Sequence, residues 1–321
     1  GTATRMATVN DLTLNGSTLI FGGNVSTVDA LTVTGAVSAT GSNTIKLTGP
    51  LDNGVYTLIT SPSALPGSYT LDTSALPASF TNYVGSISGN NYIVTVSGSA
   101  IPAVAYWKGD VSAVWNTTSS APNSNWATSA GGGTDTNQLP GVITDVYFNA
   151  TGATNTTTTL GADASINSLT FSSGSSQIGG SNALTILGSN LNLFGIEVET
   201  GASATIALPT LTSAGDLKVN AGGSLTVTGG TLGSATTGAF IIDGVLNVDS
   251  NLAKSELAGA GTVKRSAPGL SILTIGGGFD SAFTGLIENG TGTLILTKVG
   301  ANKLTLSGVN TYTGGTNLQA G

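Results

Sequence analysis

The amino-acid sequence predicts an all-β protein, a right-handed parallel β-helix in which short strands stack coil upon coil. Three observations favour this fold class. The composition suits strands and not helices. A five-residue phrase of alternating apolar and polar residues recurs along the chain. Two separated segments also resemble each other over a length greater than one strand.

The composition is that of a folded protein with a nearly uncharged surface. Of the 321 residues only 8% are charged, whereas roughly 25% are charged in an ordinary soluble domain. Mean hydropathy is positive, and disordered chains instead combine high charge with few apolar residues. The chain has a single Met, few Glu and many Val, Ile and Thr residues, which favour pleated strands.

The recurring phrase places apolar side chains two residues apart, with Thr between them, and ends in Gly. On a strand this spacing puts the aliphatic residues on one face and Thr on the other. The terminal Gly permits a turn with positive φ. The copies are LTLNG at Leu12–Gly16, LTVTG at Leu31–Gly35 and Leu225–Gly229, VTVSG at Val94–Gly98, LTILG at Leu184–Gly188, LTIGG at Leu273–Gly277 and LTLSG at Leu304–Gly308.

A longer similarity distinguishes a solenoid from a sandwich or a barrel. Asn10–Gly35 and Ile166–Gly188 both contain Leu-Thr, then Gly-Ser, Gly-Gly and Ala-Leu-Thr, and both end in Gly. Repeats of this kind bury a continuous core only when they stack on neighbouring copies. The variable spacing between phrases predicts loop excursions at the turns of the coil.

The sequence divides near Ser99–Val104, where SAIPAV has the small residues and the Pro of a linker. We expect a solenoid segment over 1–100, a Trp-containing cap or junction over 103–150, and regular solenoid over 151–321. Prolines 62, 66 and 77 predict that Ser61–Pro77 breaks strand pairing and forms a loop or a small excursion on the solenoid. Asn116–Gly141 is expected to be a long loop or a small β-cap, so that 105–150 is a candidate for a small β insertion.

Several function classes lack the residues that they need. Nucleic-acid binding requires a basic patch, but the net charge is −7 and only nine residues are basic. No run of about 18 apolar residues suggests a membrane span. His and Cys are both absent, which removes the common general base, thiolate nucleophile and metal ligands. We therefore expect no catalytic residue, no cofactor and no metal site.

Aromatic residues cluster in the predicted junction. Trp107, Trp115 and Trp126 are all the tryptophans of the chain, and Tyr106, Tyr147 and Phe148 lie in the same region. Flat indole rings suit the faces of sugar rings, so the tryptophans are candidate glycan-contact residues. They also suit a hydrophobic plug that caps or joins two solenoid sections, which is the interpretation that we favour because Trp buries a large area.

Carboxylates are thinly spread, and one pair stands out. Glu197 and Glu199 in GIEVET lie two residues apart on one predicted strand, a spacing that suits Ca²⁺ binding or acid–base chemistry as well as a solvated face. Polysaccharide-cleaving chemistry would need a basic partner, for which Lys218 and Lys264 are the candidates. Asp243 and Asp249 are expected to mark turns in which Asp bonds its own backbone.

The C-terminal stretch Leu294–Gly321, LILTKVGANKLTLSGVNTYTGGTNLQAG, resembles the autotransporter-associated β-strand repeat, also called the passenger-associated transport repeat. Two further stretches resemble parts of the proteins that carry this repeat, namely Tyr106 to Gly174, their Trp-rich opening, and Gly54–Ile59, a closing strand. The residues that match the repeat motif are Lys298, Gly300, Leu304, Leu306, Gly308, Asn310, Thr311, Tyr312, Thr313, Gly314, Gly315 and Thr316.

The resemblance implies an exported bacterial β-helix at the cell surface or outside the cell, with a role in adhesion, surface layers or filaments and no common catalytic residues. Gly1–Gly35 looks like the continuation of the repeat, so 1–100 would be the rear half of one unit and 103–321 the front half of the next. We therefore expect a structural, non-enzymatic segment of a fibre or adhesive stalk. Its expected partners are copies of itself or tandem neighbours, end to end, and surface glycans. The alternative is a carbohydrate-binding or polysaccharide-cleaving β-helix.

Overall fold

A computed structural model of the chain describes residues 5–24, 27–49, 51, 54–76, 82–97, 101–119, 123–136, 138–188, 194–230, 232–233 and 237–321. The chain forms two compact units, Gly1–Ile101 and Pro102–Gly321. The described residues form strands and turns and contain no helix. The all-β class and the parallel β-solenoid are thereby confirmed. The residues described include no long apolar helix of the kind that crosses a bilayer.

Short strands make up the first unit. They are β1 (Met6–Val9), β2 (Leu12–Asn15), β3 (Thr18–Phe21), β4 (Gly23–Asn24), β5 (Thr27–Val28), β6 (Ala30–Val33), β7 (Val37–Thr40), β8 (Ser42–Leu47), β9 (Gly54–Thr60), β10 (Ser68–Asp72), β11 (Asn82–Ser88) and β12 (Asn91–Ser97).

The first unit is a parallel coil closed at one end by a hairpin. Strands β1, β2 and β3 each pair in parallel with a strand of the next coil, namely β6, β7 and β8. The edge of β9 is then occupied by the antiparallel hairpin of β12 and β11. Alternate residues such as Ile45, Leu58 and Val94 are fully buried, as the period of two predicts.

One prediction for the first unit is wrong. Within the expected loop Ser61–Pro77, Ser68–Asp72 forms a strand that pairs in parallel with β8. Pro62 and Pro66 precede this strand, so neither removes a hydrogen-bond donor from the ladder. Pro77 lies outside the described residues.

The second unit holds the longer solenoid. Its strands are β13 (Val104–Trp107), β14 (Thr118–Ser119), β15 (Asn123–Ser124), β16 (Trp126–Ala127), β17 (Asp145–Phe148), β18 (Thr157–Thr159), β19 (Ala164–Ile166), β20 (Ser168–Phe171), β21 (Gly174–Gly179), β22 (Ala183–Ile186), β23 (Ile196–Val198), β24 (Ala202–Leu208), β25 (Thr210–Ser213), β26 (Leu217–Val219), β27 (Ser224–Gly229), β28 (Ala239–Ile242), β29 (Val245–Val248), β30 (Leu252–Lys254), β31 (Glu256–Ala258), β32 (Thr262–Arg265), β33 (Leu270–Ile275), β34 (Ser281–Phe283), β35 (Leu286–Gly290), β36 (Thr293–Lys298), β37 (Leu304–Leu306) and β38 (Thr316–Leu318).

These strands stack on three faces of the coil. The first face is an eight-stranded sheet in the order β16-β13-β17-β20-β23-β26-β28-β31. The second is a seven-stranded sheet in the order β18-β21-β24-β27-β29-β32-β35. The third face consists of β19-β22-β25 and β30-β33-β36-β38, which the bridges of Leu232 to Leu211 and Leu252 connect.

The recurring phrase produces the core directly. In the second face, Ala204, Leu225, Leu246, Val263 and Ile287 stand opposite one another in successive coils, and all are at most 1% exposed. The Thr residues between the apolar positions face outward, as the alternation requires. Each coil thus adds one apolar layer to a single interior within this unit.

A column of glycines marks one corner of the coil. Gly223, Gly244, Gly261, Gly285 and Gly308 lie so close to the preceding coil that an added Cβ would collide with a carbonyl oxygen there. At Gly308 the colliding atom is the carbonyl oxygen of Gly285, and at Gly285 it is that of Gly261. The Gly that ends LTLSG therefore permits close approach of two backbones.

A small β insertion is present where 105–150 was proposed to hold one. Strand β16 pairs antiparallel with β13, and β14 with β15, whereas β17 continues the parallel stack. Val114 bridges Thr159 at the start of the second face. The insertion therefore covers the first strand edges of both faces.

Candidate functional site

The three tryptophans lie inside the second unit. Trp107, Trp115 and Trp126 are 0%, 4% and 0% exposed. Their rings pack on one another and on Phe148, with centroids 5.0 Å apart for Trp107–Trp126 and 5.6 Å apart for Trp107–Phe148. The cluster forms a hydrophobic plug, and the indole faces that a sugar would need are occupied by other rings.

Each indole N–H of the plug also has a partner. Trp107 Nε1 donates to the Thr154 carbonyl at 3.3 Å, and Trp115 Nε1 donates to Thr158 Oγ1 at 3.0 Å. Trp126 Nε1 donates to the Trp115 carbonyl at 3.0 Å. These bonds satisfy the buried donors and fix the insertion on the first coils of the solenoid.

The outward side of the first face brings together residues that are distant in sequence. Tyr106, Tyr147, Thr170, Glu197 and Lys218 stand opposite one another on five successive strands. We call this set the outward column. The two tyrosine rings are stacked with their centroids 5.0 Å apart. One face of each ring is therefore covered by the other ring.

Of the two predicted basic partners, the structure brings only Lys218 to the glutamate pair. Lys218 is the register partner of Glu197, and its Nζ lies 5.0 Å from the centroid of the Phe194 ring. Lys264 belongs to the second face and forms an ion pair with Glu288 at 3.9 Å. Asn220 Nδ2 donates to Glu197 Oε1 at 2.8 Å.

Burial and mutual repulsion perturb the ionisation of this region. Burial, and then the charge of Glu197, raise the pKa of the Glu199 carboxyl. Burial, followed by the charge of Asp145, raises the pKa of the Tyr147 hydroxyl. Glu199, which lies two residues from the column member Glu197, is therefore more readily protonated than a glutamate at its ordinary pKa. No group of three or more potential metal ligands occurs among the residues described.

The aspartates of the turns bond to a neighbouring coil, which differs from the predicted bonding to their own backbone. Asp243 accepts from the amide of Ala260 at 3.2 Å. Asp249 accepts from the Ser266 amide and hydroxyl at 2.7 Å and 2.6 Å, and from the Ala267 amide at 3.0 Å. The same bonding to the following coil occurs at Asp11, Asp163, Asp216 and Asp280. We call these residues the aspartate staples.

The motif residues at the C-terminal end bind the last coil to the one before it. Asn310 Oδ1 accepts from the Ile287 amide at 2.8 Å. Asn289 Oδ1 accepts from the Thr313 amide at 3.0 Å, and Asn289 Nδ2 donates to Thr313 Oγ1 at 2.7 Å. The side chains of Asn310 and Thr313 thus connect the repeat to the edge of β35.

Turn geometry and one buried cation account for other motif positions. Gly300 and Gly315 have φ of 71° and 84°, a region that L side chains rarely adopt. The hydroxyls of Tyr312 and Thr316 lie 2.6 Å apart and share a hydrogen bond. Lys298 is only 6% exposed, a burial that the sequence alone did not indicate.

The outermost coil of each unit leaves part of its apolar interior uncovered. Leu304, Leu306 and Tyr312 are partly buried against the core of the second unit, and Leu318 is 65% exposed. In the first unit Val9, Leu12 and Leu19 pack partly buried on the core. All of them except Tyr312 belong to strands at the edges of their sheets.

Comparison with protein families identifies a passenger-associated-transport-repeat at residues 296–321. Comparisons with curated proteins and with solved structures gave no match. The repeat contributes the end of β36 and the terminal strand β38 to the third face, and it also contributes β37, which pairs with β34. The chain thus carries this repeat on a β-solenoid, in agreement with an autotransporter-passenger β-helix.

Proposed function

We propose that this chain is a structural, non-enzymatic segment of an exported bacterial β-solenoid, and that it builds a fibre or adhesive stalk by end-to-end pairing of its coils. The observation that carries the proposal is the pair of open strand edges, one at the first coil of the first unit and one at the last coil of the second unit. The occupant that we propose for each edge is the opposite edge of another copy.

The open edge of the second unit combines backbone and apolar surface. Within the described residues β37 and β38 each pair on one side only, with β34 and β36. Their free N–H and C=O groups are suited to a further parallel strand. A further coil would also cover Leu304, Leu306 and Leu318, which favours association through the hydrophobic effect.

The open edge of the first unit is of the same kind. Strands β1, β2 and β3 pair on one side only in the described part of the chain, and Val9, Leu12 and Leu19 belong to them. Both edges therefore offer short strands that already run in parallel stacks.

Antiparallel strands cap one sheet edge at the other end of each solenoid. The β12–β11 hairpin covers β9 in the first unit, and β16 covers β13 in the second. Pairing between the last coil of one copy and the first coil of the next avoids these capped edges. Such a heterologous contact is repeated by every copy and produces an open fibre.

The repeat supports an extracellular or surface location, because its family is associated with exported passenger proteins. The aspartate staples support a structural role, since they use charged side chains to hold successive coils together. In this proposal the function is mechanical, and copies of the chain are the partners.

Two edge-blocking variants test the proposal by light scattering. Leu304→Lys places a charge on the last-coil edge, Leu19→Lys does so on the first-coil edge, and Val55→Lys changes an exposed valine, 64% exposed, on neither edge. We expect concentration-dependent growth for the wild type and for Val55→Lys and none for either edge variant alone. A mixture of the two edge variants should form dimers, because each supplies the edge that the other lacks. A wild type that stays monomeric at every concentration would refute the proposal.

A glycan-directed activity is the second candidate, favoured by the placement of Lys218 beside Glu197. Hydrolysis of a glycosidic bond uses a pair of carboxyl groups, for which Glu197 and Glu199 are the candidates, with Lys218 as their basic partner. Reducing-sugar release from acidic polysaccharides and glycan-array binding, each compared with Glu197→Gln, test this candidate. Absence of both signals from the wild type would eliminate it.

A further inference from the structure

Two lysines occupy the same inward position at one corner of the second unit. Lys254 ends β30, Ile275 ends β33 and Lys298 ends β36, and these residues are register partners in successive coils. All three side chains are buried, with exposures of 0%, 1% and 6%. Ile275 shows that this corner accepts an apolar side chain, so the lysines have another reason to be there.

The Lys254 ammonium group contacts the backbone of an earlier part of the solenoid. Its Nζ donates to the Ser213 carbonyl at 2.7 Å and to the Gly215 carbonyl at 2.5 Å. Ser213 lies on β25 and Leu252 on β30, both in the third face. One coil lies between these two strands, and its Leu232 bridges to both of them. The Lys254 side chain therefore reaches past the intervening coil and ties its own coil to the carbonyls of Ser213 and Gly215.

The Lys298 ammonium group binds carbonyls at the repeat end. Its Nζ lies 2.6 Å from the Val299 carbonyl, 2.9 Å from the Gly300 carbonyl and 3.5 Å from the Ala320 carbonyl. Val299 and Gly300 form the turn after β36, whereas Ala320 follows β38. The backbone of Lys298 also accepts the Gln319 amide at 2.9 Å.

We propose that Lys254 and Lys298 are corner pins, buried ammonium groups that bind turn carbonyls and so tie their own coil to another coil, and that Lys298 positions β38 as the strand edge for the next copy. The part that concerns the next copy rests on the proposed function. The pinning of β38 itself does not.

The physical reason is donor supply at a turn. Carbonyls buried at a corner have no strand partner and lose free energy unless a donor reaches them. An ammonium group offers three donors on a flexible stem, which is enough for the carbonyls that converge at each of these corners. The match of Lys298 to the repeat motif thereby acquires a structural role.

Amide hydrogen exchange measured on Lys298→Met tests the pin, with Lys303→Met as control because Lys303 is an exposed lysine of the same coil. Met retains the length and the apolar stem but supplies no donor. We expect exchange over 316–320 to accelerate about tenfold in Lys298→Met, as for a locally destabilised strand, and to stay unchanged in Lys303→Met. Lys298→Arg, which keeps a cationic donor, should lie close to the wild type.

Light scattering on the same proteins measures separately whether Lys298 contributes to assembly. Lys298→Met should elongate more slowly than Lys303→Met. Amide exchange in Lys298→Met that equals the wild type would overturn the pin. Faster exchange combined with undiminished elongation would overturn the role of Lys298 in docking the next copy. If the wild type does not elongate, the proposed function fails while the exchange data still decide the pin. If Lys298→Met does not fold, Lys298→Arg is compared with Lys303→Met instead. Amide exchange over 316–320 that is as slow in Lys298→Arg as in Lys303→Met supports the pin.

Discussion

At the scale of single residues, charged side chains mostly serve the backbone. Asp249 binds the backbone of the following coil, and Lys254 and Lys298 bind turn carbonyls. The chain has few charged residues, and several of them are thus used to hold the backbone in place. Sequence patterns did not reveal the buried lysines, because Lys is rarely buried unless it is paired.

Lys254 gives a pH dependence with a defined sign. Burial lowers its pKa from 10.5 to about 8, and the nearby charge of Asp216 opposes this shift. Below pH 8 both folded and unfolded chains hold the proton, so the cost of the buried charge is fully present. Between about pH 8 and 10.5 the unfolded chain binds more protons, so stability rises with pH. The neutral amine keeps two N–H donors for Ser213 and Gly215.

The measurement is the free energy of urea unfolding for the wild type minus that for Lys254→Met, at pH 7 and pH 10. The difference isolates Lys254 from other groups that titrate at alkaline pH. We expect it to rise by on the order of 3 kcal/mol between these pH values, at about 1.4 kcal/mol per pKa unit. A difference that is constant with pH would contradict the lowered pKa.

The tryptophan plug yields a second prediction at this scale. Trp126 is fully buried, packs edge-on to Trp107 and Trp115, and donates to the Trp115 carbonyl. Trp126→Ala should therefore lower the free energy of unfolding by about 3–5 kcal/mol, the usual range for a buried Trp. Trp126→Phe should cost less because it retains an aromatic ring. Chemical denaturation measures both, and a loss below about 1 kcal/mol in Trp126→Ala would show that the plug does not stabilise the unit.

At the scale of elements, short alternating phrases predicted the stacking but not all of its members. Leu225 and Val227 of LTVTG occupy buried register positions above Ala204 and Ile206, as their period of two indicates. Ser68–Asp72 was expected in a loop because of its flanking prolines, yet it pairs with β8. The alternation of apolar and polar residues decides which face of a strand is buried. Which strand it pairs with depends on residues that are distant in sequence.

In the candidate site, likewise, some features are visible in the local sequence and others depend on contacts between distant residues. The Glu197 and Glu199 spacing is visible in the sequence, but the position of Lys218 beside Glu197 follows from a coil length that sequence patterns leave variable. The stacking of Tyr106 on Tyr147 likewise depends on the parallel pairing of β13 with β17. Only the register of successive coils assembles the outward column.

The aspartate staples are testable between elements. Asp249 accepts three hydrogen bonds from Ser266 and Ala267 in the following coil, so Asp249→Ala should lower the free energy of unfolding by about 1–2 kcal/mol. The control is Asp110→Ala, which removes an ion pair with Lys108 whose side chains are 32% and 41% exposed and which should cost less than about 1 kcal/mol. Equal losses in the two variants, measured by urea unfolding, would show that the staple adds nothing beyond a surface ion pair.

At the scale of the whole molecule, each unit has its own continuous core and one open edge. The cores of the first and second units are separate clusters of buried residues. Antiparallel strands cover one sheet edge in each unit, at β9 and at β13, while the first coil of the first unit and the last coil of the second keep free parallel edges among the described residues. The proposed fibre follows from this distribution of covered and open edges.

Negative-stain electron microscopy of the wild-type protein at increasing concentration tests most directly whether coils continue from one copy to the next. The account predicts unbranched fibres whose length increases with concentration, and their loss in Leu304→Lys. Discrete particles of one constant length at every concentration would contradict it.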